Sequence, residues 1–362
     1  MKRFFCILIW ICLAIGLMSC QRETTDQKEG SVQSGVLDEN NPDVPQHQSA
    51  YPPAPELPPA PDTLHIAVIS DINESYGTVG YSPAVKSAVQ DIIRKKVDFV
   101  VSPGDLVAGQ KSGLNYDAMW KGFHYQVGDV FFDNDIEFIM APGNHDASGY
   151  SQYIEERHAM MRAFESRKPK APLLEGSHYP FYYAVIIRDI LVIALDITRP
   201  IQDNDPQLEW LSVILQNHAS SRANIVLGHL PLFPIDFGSF WEVASSRKLL
   251  EILKNAPSPT LYFSGHHHIF YPAHVGELRL IACPALGADP RSMSGGKGMG
   301  GYVMIEIPPQ SPPKISALIA PDFTRTMDIQ SLPVRRLMLE REDIGMAEYI
   351  MEMLDDSIVE EK

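Results

Sequence analysis

The feature that most constrains the fold of this chain is a series of five short apolar runs, each followed by a turn that carries Gly, Asp, Asn or His. The runs are rich in β-branched residues and too short for helices, which is typical of buried strands. We therefore predict five strands: Leu64–Ser70, Val97–Ser102, Ile136–Ala141, Asn224–Leu227 and Leu261–Ser264.

The segments between these runs predict how the strands are connected. Pro83–Lys96 begins with a proline and has apolar residues at helical spacing. Strand–helix alternation early in the chain and strand-rich sequence later favour an α/β sandwich with two packed sheets. The remaining predicted elements are helices at Tyr153–Lys168 and Gln207–Ala219, a hairpin over Tyr182–Ile197 that turns at Arg188-Asp189, and strands at Arg279–Ala282 and Gly301–Ile307.

Potential metal ligands follow each of the five predicted strands. In open α/β folds, sites form beyond the carboxyl ends of strands, where successive loops meet. A mixture of carboxylate, amide and imidazole groups suits a pair of ions such as Mn, Fe, Zn or Co better than it suits a closed thiolate zinc site. The candidate residues are Asp71; Asp105; Asn144, His145 and Asp146; His229; and His266, His267 and His268.

The order of these motifs resembles that of the calcineurin-like metallophosphoesterase superfamily over roughly Thr63 to Ala320. Leu195-Asp196, followed by Gln207–Leu211, also resembles a segment common in that family. The resemblance implies a four-layer αββα sandwich, in which two packed mixed sheets are flanked by helices. It also implies a dinuclear metal centre that activates hydroxide to hydrolyse phosphate mono- or diesters.

The resemblance further implies a role for each motif residue. His145 would face the phosphoryl group, stabilise the transition state and be able to protonate the leaving oxygen, and Asp146 would orient the His145 ring. The implied metal ligands are Asp105, which would bridge both ions, Asp71 and His268 on the first ion, and Asn144, His229 and His266 on the second.

Asn73 departs from the family pattern, because the usual first motif is Asp-x-His and the histidine binds the first ion. We favour an interpretation in which Asn73 binds the metal through its amide oxygen. Two alternatives stay open. Asn73 could hydrogen-bond a metal-bound water from outside the ligand shell, or the first site could be partly degenerate, with Glu74 or water filling the position.

Several other residues allow two interpretations. His124 and His274 could line a substrate cleft or be ordinary, partly exposed histidines, and Arg291 could contact a substrate phosphate or be solvated. We expect His267 to point away from the metals and Cys283 to be a buried apolar residue. The run Ser294–Gly301 lacks the strand and helix that flank a P-loop, so a flexible loop is predicted there.

The N-terminus predicts export. Lys2 and Arg3 precede the apolar run Phe4–Met18, and the run closes on Leu17-Met18-Ser19-Cys20. This pattern is typical of a secretory signal, and its end resembles the bacterial lipoprotein cleavage box. Cys20 would then carry lipid and anchor the exported protein to a membrane of the bacterial cell envelope. A short transmembrane anchor is the alternative.

The chain divides into four predicted segments. Residues 1–20 form the signal peptide, and the polar, then proline-dense segment 21–61 is a disordered tether. Residues 62–333 form the metallophosphoesterase domain. Residues 334–362 form a charged tail with a helical pattern.

The charge of the chain narrows the choice of partner. A net charge of −15 disfavours nucleic-acid binding, which normally requires a basic face, and favours a small phosphoester substrate. The lipid anchor suggests a nucleotide or lipid-head-group hydrolase as a second enzymatic interpretation. The non-enzymatic alternative is a metal-binding lipoprotein with a degenerate site that acts in binding or assembly.

Overall fold

Two mixed β-sheets form the centre of the protein and enclose a shared apolar core. The computed structural model describes residues 62–232, 243–244, 246–291 and 297–327. Strands of both sheets contribute to the core between them, and many of its residues are β-branched, as expected for strands that are buried on both faces.

The first sheet contains three parallel strands in its centre and at one edge. Strand β1 pairs in parallel with β2, and β2 pairs in parallel with β3, while β10 and β11 continue the sheet in antiparallel fashion on the other side of β1. These strands are β1 (Leu64–Val68), β2 (Phe99–Ser102), β3 (Glu137–Met140), β10 (Gly301–Ile307) and β11 (Lys314–Ile319).

The second sheet has six strands, of which the inner four run parallel and the two edge strands antiparallel to their neighbours. In spatial order the strands are β4 (Tyr183–Ile187), β5 (Ile190–Ala194), β6 (Ala223–Leu227), β7 (Thr260–Ser264), β9 (Leu278–Ala282) and β8 (Tyr271–Val275).

Helices cover the outer face of each sheet. The outer face of the first sheet packs against α1 (Pro83–Lys95), α2 (Tyr116–Phe123), α3 (Asp129–Asp133), α4 (Asn144–Ala147) and α5 (Ile154–Phe164). The outer face of the second sheet packs against α6 (Pro206–Asn217) and α7 (Arg247–Lys254). A π-helical turn, His124–Gly128, joins α2 to α3.

This arrangement confirms the predicted four-layer sandwich. The five strands that end in candidate ligands, the hairpin and helices α1, α5 and α6 all form within a few residues of their predicted bounds. Helices α2 and α7 and strands β8 and β11 were not predicted. Both helices are short and begin at a side-chain cap, Asn115 or Ser246, which is a weaker signal than a long apolar period.

No helix in the described part of the chain is both long and apolar enough to cross a membrane. The predicted signal peptide, tether and C-terminal tail lie outside the described residues, as does part of the predicted loop over Ser294–Gly301.

Candidate metal centre

Loops from both sheets bring buried ligand groups together at the carboxyl ends of the strands. Asp71 follows β1, Asp105 follows β2 and His229 follows β6. Each of these three buried residues offers one ligand atom, and the three atoms lie within 4.8 Å of one another. The parallel strands therefore deliver side chains that are far apart in sequence to one point.

The backbone at these strand ends adopts an unusual conformation. Asp71, Asp105, His266 and His268 have φ angles of 49°, 57°, 67° and 59°, in the left-handed region that non-glycine residues rarely occupy. Such conformations cost energy and cluster at binding and active sites. They turn each side chain towards the centre directly after the strand ends.

The glycines of the motifs allow two of these turns to touch. A Cβ atom at Gly143 would collide with the Asp105 carboxylate, and one at Gly104 would collide with the backbone of Gly143. Gly104 also has a φ of 103°, which favours glycine. The turns after β2 and β3 therefore approach each other backbone to backbone, which places Asn144 and His145 next to Asp105.

Three side chains converge on the side predicted to hold the second ion. Asn144 Oδ1 lies 2.7 Å from His229 Nε2 and 2.9 Å from His266 Nδ1. The Asn144 amide is oriented by its Nδ2, which donates to Gln110 Oε1 at 2.9 Å. His229 Nδ1 donates to the Pro103 carbonyl at 3.0 Å, so the neutral ring has its lone pair on Nε2. A neutral His229 would therefore present a lone pair at Nε2, and one cation bound by both Nε2 and Asn144 Oδ1 would satisfy the two atoms.

His266 is well suited to this arrangement because it is neutral. Burial holds the pKa of His266 well below its usual range. A neutral imidazole can offer a lone pair to a metal, whereas a protonated ring cannot.

The side predicted to hold the first ion depends on charge. Asp71 Oδ1 lies 3.3 Å from His268 Nε2, and Asp71 Oδ2 accepts a hydrogen bond from Ser70 Oγ at 2.6 Å. Burial opposes ionisation of Asp71 more than any single neighbour favours it, but His268 and the Ser70 hydroxyl group contribute to a combined effect that outweighs burial and holds the pKa of Asp71 well below its usual value. His268 Nδ1 donates to the Asp289 carbonyl at 2.9 Å, which directs Nε2 towards Asp71.

Asp105 lies between the two sides. Its Oδ1 atom is 3.5 Å from His229 Nε2 and accepts a hydrogen bond from the His145 backbone amide at 2.9 Å. Its Oδ2 atom is 3.9 Å from His145 Nε2. This is the position that a bridging carboxylate requires, and the bridging role itself stays a prediction.

His145 is held with one ring nitrogen towards the centre. Its Nδ1 donates to the Gly109 carbonyl at 3.0 Å, so Nε2 carries the lone pair of the neutral ring and faces Asp105. The side chain is 22% exposed, which leaves its edge accessible to a substrate. The ring of Tyr76 lies beside it, with the ring centroids 5.5 Å apart.

The structure corrects the role predicted for Asp146. Its carboxylate accepts hydrogen bonds from the backbone amides of Leu106, Val107 and Gly143 at 2.8 Å each, and so joins the turns after β2 and β3. The His145 ring is oriented by its hydrogen bond to the Gly109 carbonyl instead. Asp146 is the third residue of α4, and its side chain points back to the start of that helix. Burial, followed by the charge of Asp105, raises the pKa of Asp146 to about 7.

Asn73 is buried at the first side and has an unsatisfied oxygen. Its backbone amide donates to the Asp105 carbonyl at 3.2 Å, but its side-chain Oδ1 has no hydrogen-bond partner among the described residues. Buried amide oxygens normally have a partner, so a metal ion or a water would satisfy this atom. Glu74 is exposed, which argues against its replacing Asn73 as a ligand.

Two positioning residues had no signal in the sequence. Gln110 orients Asn144, and the buried carboxylate of Glu156 accepts from the backbone amides of Gln110 and Ser148. Burial raises the pKa of Glu156 to about 7. Gln110 follows no strand directly and Glu156 lies within a helix, so neither stands in a recognisable motif.

The remaining candidate residues differ in their burial and in whether they adjoin the metal centre. The Arg291 backbone amide donates to the His268 carbonyl at 3.1 Å, so Arg291 is adjacent to the first side of the centre. His267 and Cys283 are buried, and His274 is partly buried on β8. His124 is buried in an aromatic cluster rather than partly exposed.

The fold and this cluster of carboxylate, amide and imidazole groups define a metal-binding α/β protein with the architecture of a phosphoesterase. The calcineurin-like phosphoesterase family model matches residues 64–270, which span the strands and motifs described above. The chain therefore belongs to the calcineurin-like phosphoesterase family, whose members typically bind two divalent metals.

The solved structures that are similar to this chain are distant in sequence. The purple acid phosphatase PPD1 from yellow lupin (Lupinus luteus) is 15% identical, with a TM-score of 0.58 over 75% of this chain and 54% of the lupin chain. This chain thus spans about half the length of the lupin protein. A dimetal phosphatase from Danio rerio is 12% identical, with a TM-score of 0.47 over 71% of this chain and 96% of that one. A search of curated proteins found no match.

Proposed function

We propose that this protein is a metal-dependent phosphoesterase that hydrolyses phosphate mono- or diesters. The observation that carries the proposal is the convergence of buried ligand atoms from both sheets, with His145 Nε2 directed at the same point from the accessible side. In a metal site, Asn144 Oδ1 and His229 Nε2, which lie 2.7 Å apart, would both be ligands of one ion.

The residues present fit two ions. Asn144, His229 and His266 would hold one ion, Asp71, His268 and Asn73 the other, and Asp105 would contact both. When bound, two divalent ions, for which this mixed ligand set favours Mn, Fe, Zn or Co, lower the pKa of water towards neutrality and neutralise charge on the phosphoryl oxygens.

His145 would act on the ester itself. Its Nδ1–H bond to Gly109 fixes the ring, so that Nε2 is the atom that meets the substrate. In the protonated ring, Nε2 can donate to a phosphoryl oxygen or pass its proton to the leaving oxygen. The turn that carries His145 is itself held by the hydrogen bond from its backbone amide to Asp105.

The proposed substrate is a small phosphoester rather than a nucleic acid. The net charge of −15 supports this choice, because an acidic protein repels a polyanion. The same ligands serve monoesters and diesters, so both classes belong in the test.

The test measures metal content and hydrolysis on the same samples. Full-length protein, purified in detergent and stripped of metal, is loaded with Mn, Fe, Zn or Co and assayed with p-nitrophenyl phosphate and bis(p-nitrophenyl) phosphate. We expect about two ions per chain and hydrolysis of at least one ester, because catalysis by a dinuclear site needs both ions in place. Asp105→Asn, which keeps the shape of the side chain, is the matched control and should lose both.

Two outcomes would contradict the proposal in different ways. Less than one ion per chain with every metal would reject the metal centre. Two ions without hydrolysis of either ester would favour the alternative, a metal-binding lipoprotein that acts in binding or assembly.

We also propose that the protein is exported and held at a membrane of the bacterial cell envelope by lipid on Cys20. The support is the sequence of residues 2–20, in which two basic residues precede an apolar run that ends in Leu-Met-Ser-Cys. In cells grown with labelled palmitate, the wild-type protein should become labelled. It should also partition into the detergent phase of Triton X-114. A Cys20→Ala protein that still carries label would contradict the proposal.

A further inference from the structure

Tyr76 is a large aromatic residue that the fold leaves exposed beside the candidate catalytic histidine. It is 55% exposed, and its ring centroid lies 5.5 Å from that of His145, with 33° between the ring planes. An exposed tyrosine alone needs no explanation. Its position next to the accessible edge of His145 is what suggests a function.

The turn that carries Tyr76 is fixed against the same segment that fixes His145. Gly77, with a φ of 80°, donates its amide to the Ala108 carbonyl at 2.8 Å. The next residue along, Gly109, accepts the hydrogen bond from the His145 ring. Ser75 and Thr78 close the turn through their hydroxyl groups at 3.0 Å. The backbone of the turn that carries Tyr76 is therefore held beside His145 before any substrate binds.

We propose that Tyr76 is the wall against which the leaving group of the substrate packs, and that the preferred substrates are phosphoesters with a planar aromatic group near the ester oxygen. This inference rests on the proposed function, in which His145 Nε2 meets the leaving oxygen. A group attached to that oxygen lies within reach of a ring 5.5 Å from the imidazole. A planar π-system gains more from such a ring than a saturated group of the same size does.

The test uses two substrates that differ in planarity but have similar leaving groups. Benzyl phosphate and cyclohexylmethyl phosphate both release a primary alcohol with the same number of carbon atoms. Each is assayed as the monoester and as its methyl diester, with metal-loaded, full-length protein in detergent. Tyr76→Leu should lower kcat/KM about five- to tenfold for the benzyl ester and less than about twofold for the cyclohexylmethyl ester.

Two further variants separate the aromatic ring from other roles of Tyr76. Tyr76→Phe keeps the ring and loses the hydroxyl, so it should retain the preference for the benzyl ester. Tyr125→Leu removes a tyrosine of similar exposure (49%) on the π-helical turn and should leave both esters unaffected. Metal content should be the same in all three variants and in the wild type.

A binding measurement provides a readout that does not depend on turnover. Calorimetry with benzylphosphonate and cyclohexylmethylphosphonate, whose carbon–phosphorus bond resists hydrolysis, should show that Tyr76→Leu weakens only the benzyl compound. The inference would be overturned, and the proposed function left intact, if Tyr76→Leu lowered the affinity for both phosphonates equally. The same holds if Tyr76→Phe lost as much affinity for benzylphosphonate as Tyr76→Leu does. Wild-type protein that cleaves a p-nitrophenyl ester but neither of these two kinds of ester would overturn the inference alone, and wild-type protein that cleaves no ester of either set with any metal would overturn both.

Discussion

The two sides of the metal centre are built on different principles. On the second side the candidate ligands are the amide of Asn144 and the imidazoles of His229 and His266, and hydrogen bonds to Gln110 and Pro103 orient the first two. On the first side, the carboxylate of Asp71 pairs with His268, and the buried oxygen of Asn73 lacks a hydrogen-bond partner among the described residues.

This difference suggests how each side would hold an ion. Hydrogen bonds from the protein orient Asn144 and His229 on the second side and His268 on the first, and oriented ligands raise affinity without adding charge. Each side has one amide ligand, but the first side has the Asp71 carboxylate where the second has another imidazole, and imidazole is the better ligand for Zn or Fe. We therefore expect the first side to release its ion more readily than the second.

Asp105 is the residue that the two sides share, so its substitution should have the largest effect. Asp105→Asn removes the carboxylate that lies close to both sides but keeps the acceptor for the His145 backbone amide. We expect loss of both ions and a fall of about 10³-fold or more in kcat. Elemental analysis and ester hydrolysis measure the two quantities.

The outcome for Asp105→Asn also tests the comparison itself. A protein that loses only one ion would show that Asp105 belongs to that side alone. Full activity would remove Asp105 from the mechanism.

Gln110 should matter only to the second side. Gln110→Leu removes the acceptor that orients the Asn144 amide, so the amide can rotate and present its NH2 group to the ion. Loss of such an orienting group typically lowers metal affinity about 10- to 100-fold. Metal-binding calorimetry should detect this loss for one ion and leave the other unchanged.

Gln110→Glu is the matched control, because a carboxylate still accepts from Asn144 Nδ2. It should retain most of the affinity that Gln110→Leu loses. Equal losses in the two variants would mean that residue 110 acts through packing rather than through its hydrogen bond to Asn144.

Asn73 should matter only to the first side. Asn73→His restores the stronger imidazole ligand, and we expect about tenfold tighter binding of the first ion if Asn73 is a ligand. Occupancy at limiting metal concentration measures the effect. Reduced occupancy would instead indicate that Asn73 holds a metal-bound water, because the larger ring would displace that water.

Much of this centre could be predicted from the sequence, because its ligands follow strands directly. Asp71, Asp105 and His229 each end an apolar run, and the topology of parallel strands brings such ends together. Partners within loops were not predictable in this way. Gln110 has a φ of 64° and contacts Asn144 only because two loops meet, which no local pattern records.

The fold shows the same division between strong local signals and tertiary context. Buried parallel strands were predicted from their apolar runs, whereas α7 and β11 are short elements that packing stabilises. His124 is the clearest case among single residues. A histidine in a polar stretch, His124-Tyr125-Gln126, is expected to be partly exposed, but the π-helical turn begins at this residue and its ring lies among Trp120, Phe123 and Phe164.

The acid stability of the metal-free protein should therefore depend on His124, away from both sides of the centre. Burial, followed by the charge of Arg167, lowers the pKa of His124 to about 3, below the value of about 6.5 in an unfolded chain. As the pH falls, His124 therefore binds a proton in the unfolded chain before it does so in the folded protein. The stability that the neutral ring confers is present above pH 6.5 and is lost as the pH falls towards 3.

Urea unfolding of metal-free protein at pH 6 and pH 5 measures this loss. Wild type should lose about 1 kcal/mol more between these two pH values than His124→Leu does. His158→Gln, which removes a half-exposed histidine, is the control and should behave as wild type. An equal loss in His124→Leu and wild type would contradict the prediction. Because Asp71 has a lowered pKa, its contribution is lost only below about pH 4, so the acid effect of Asp71 can be measured separately from that of His124.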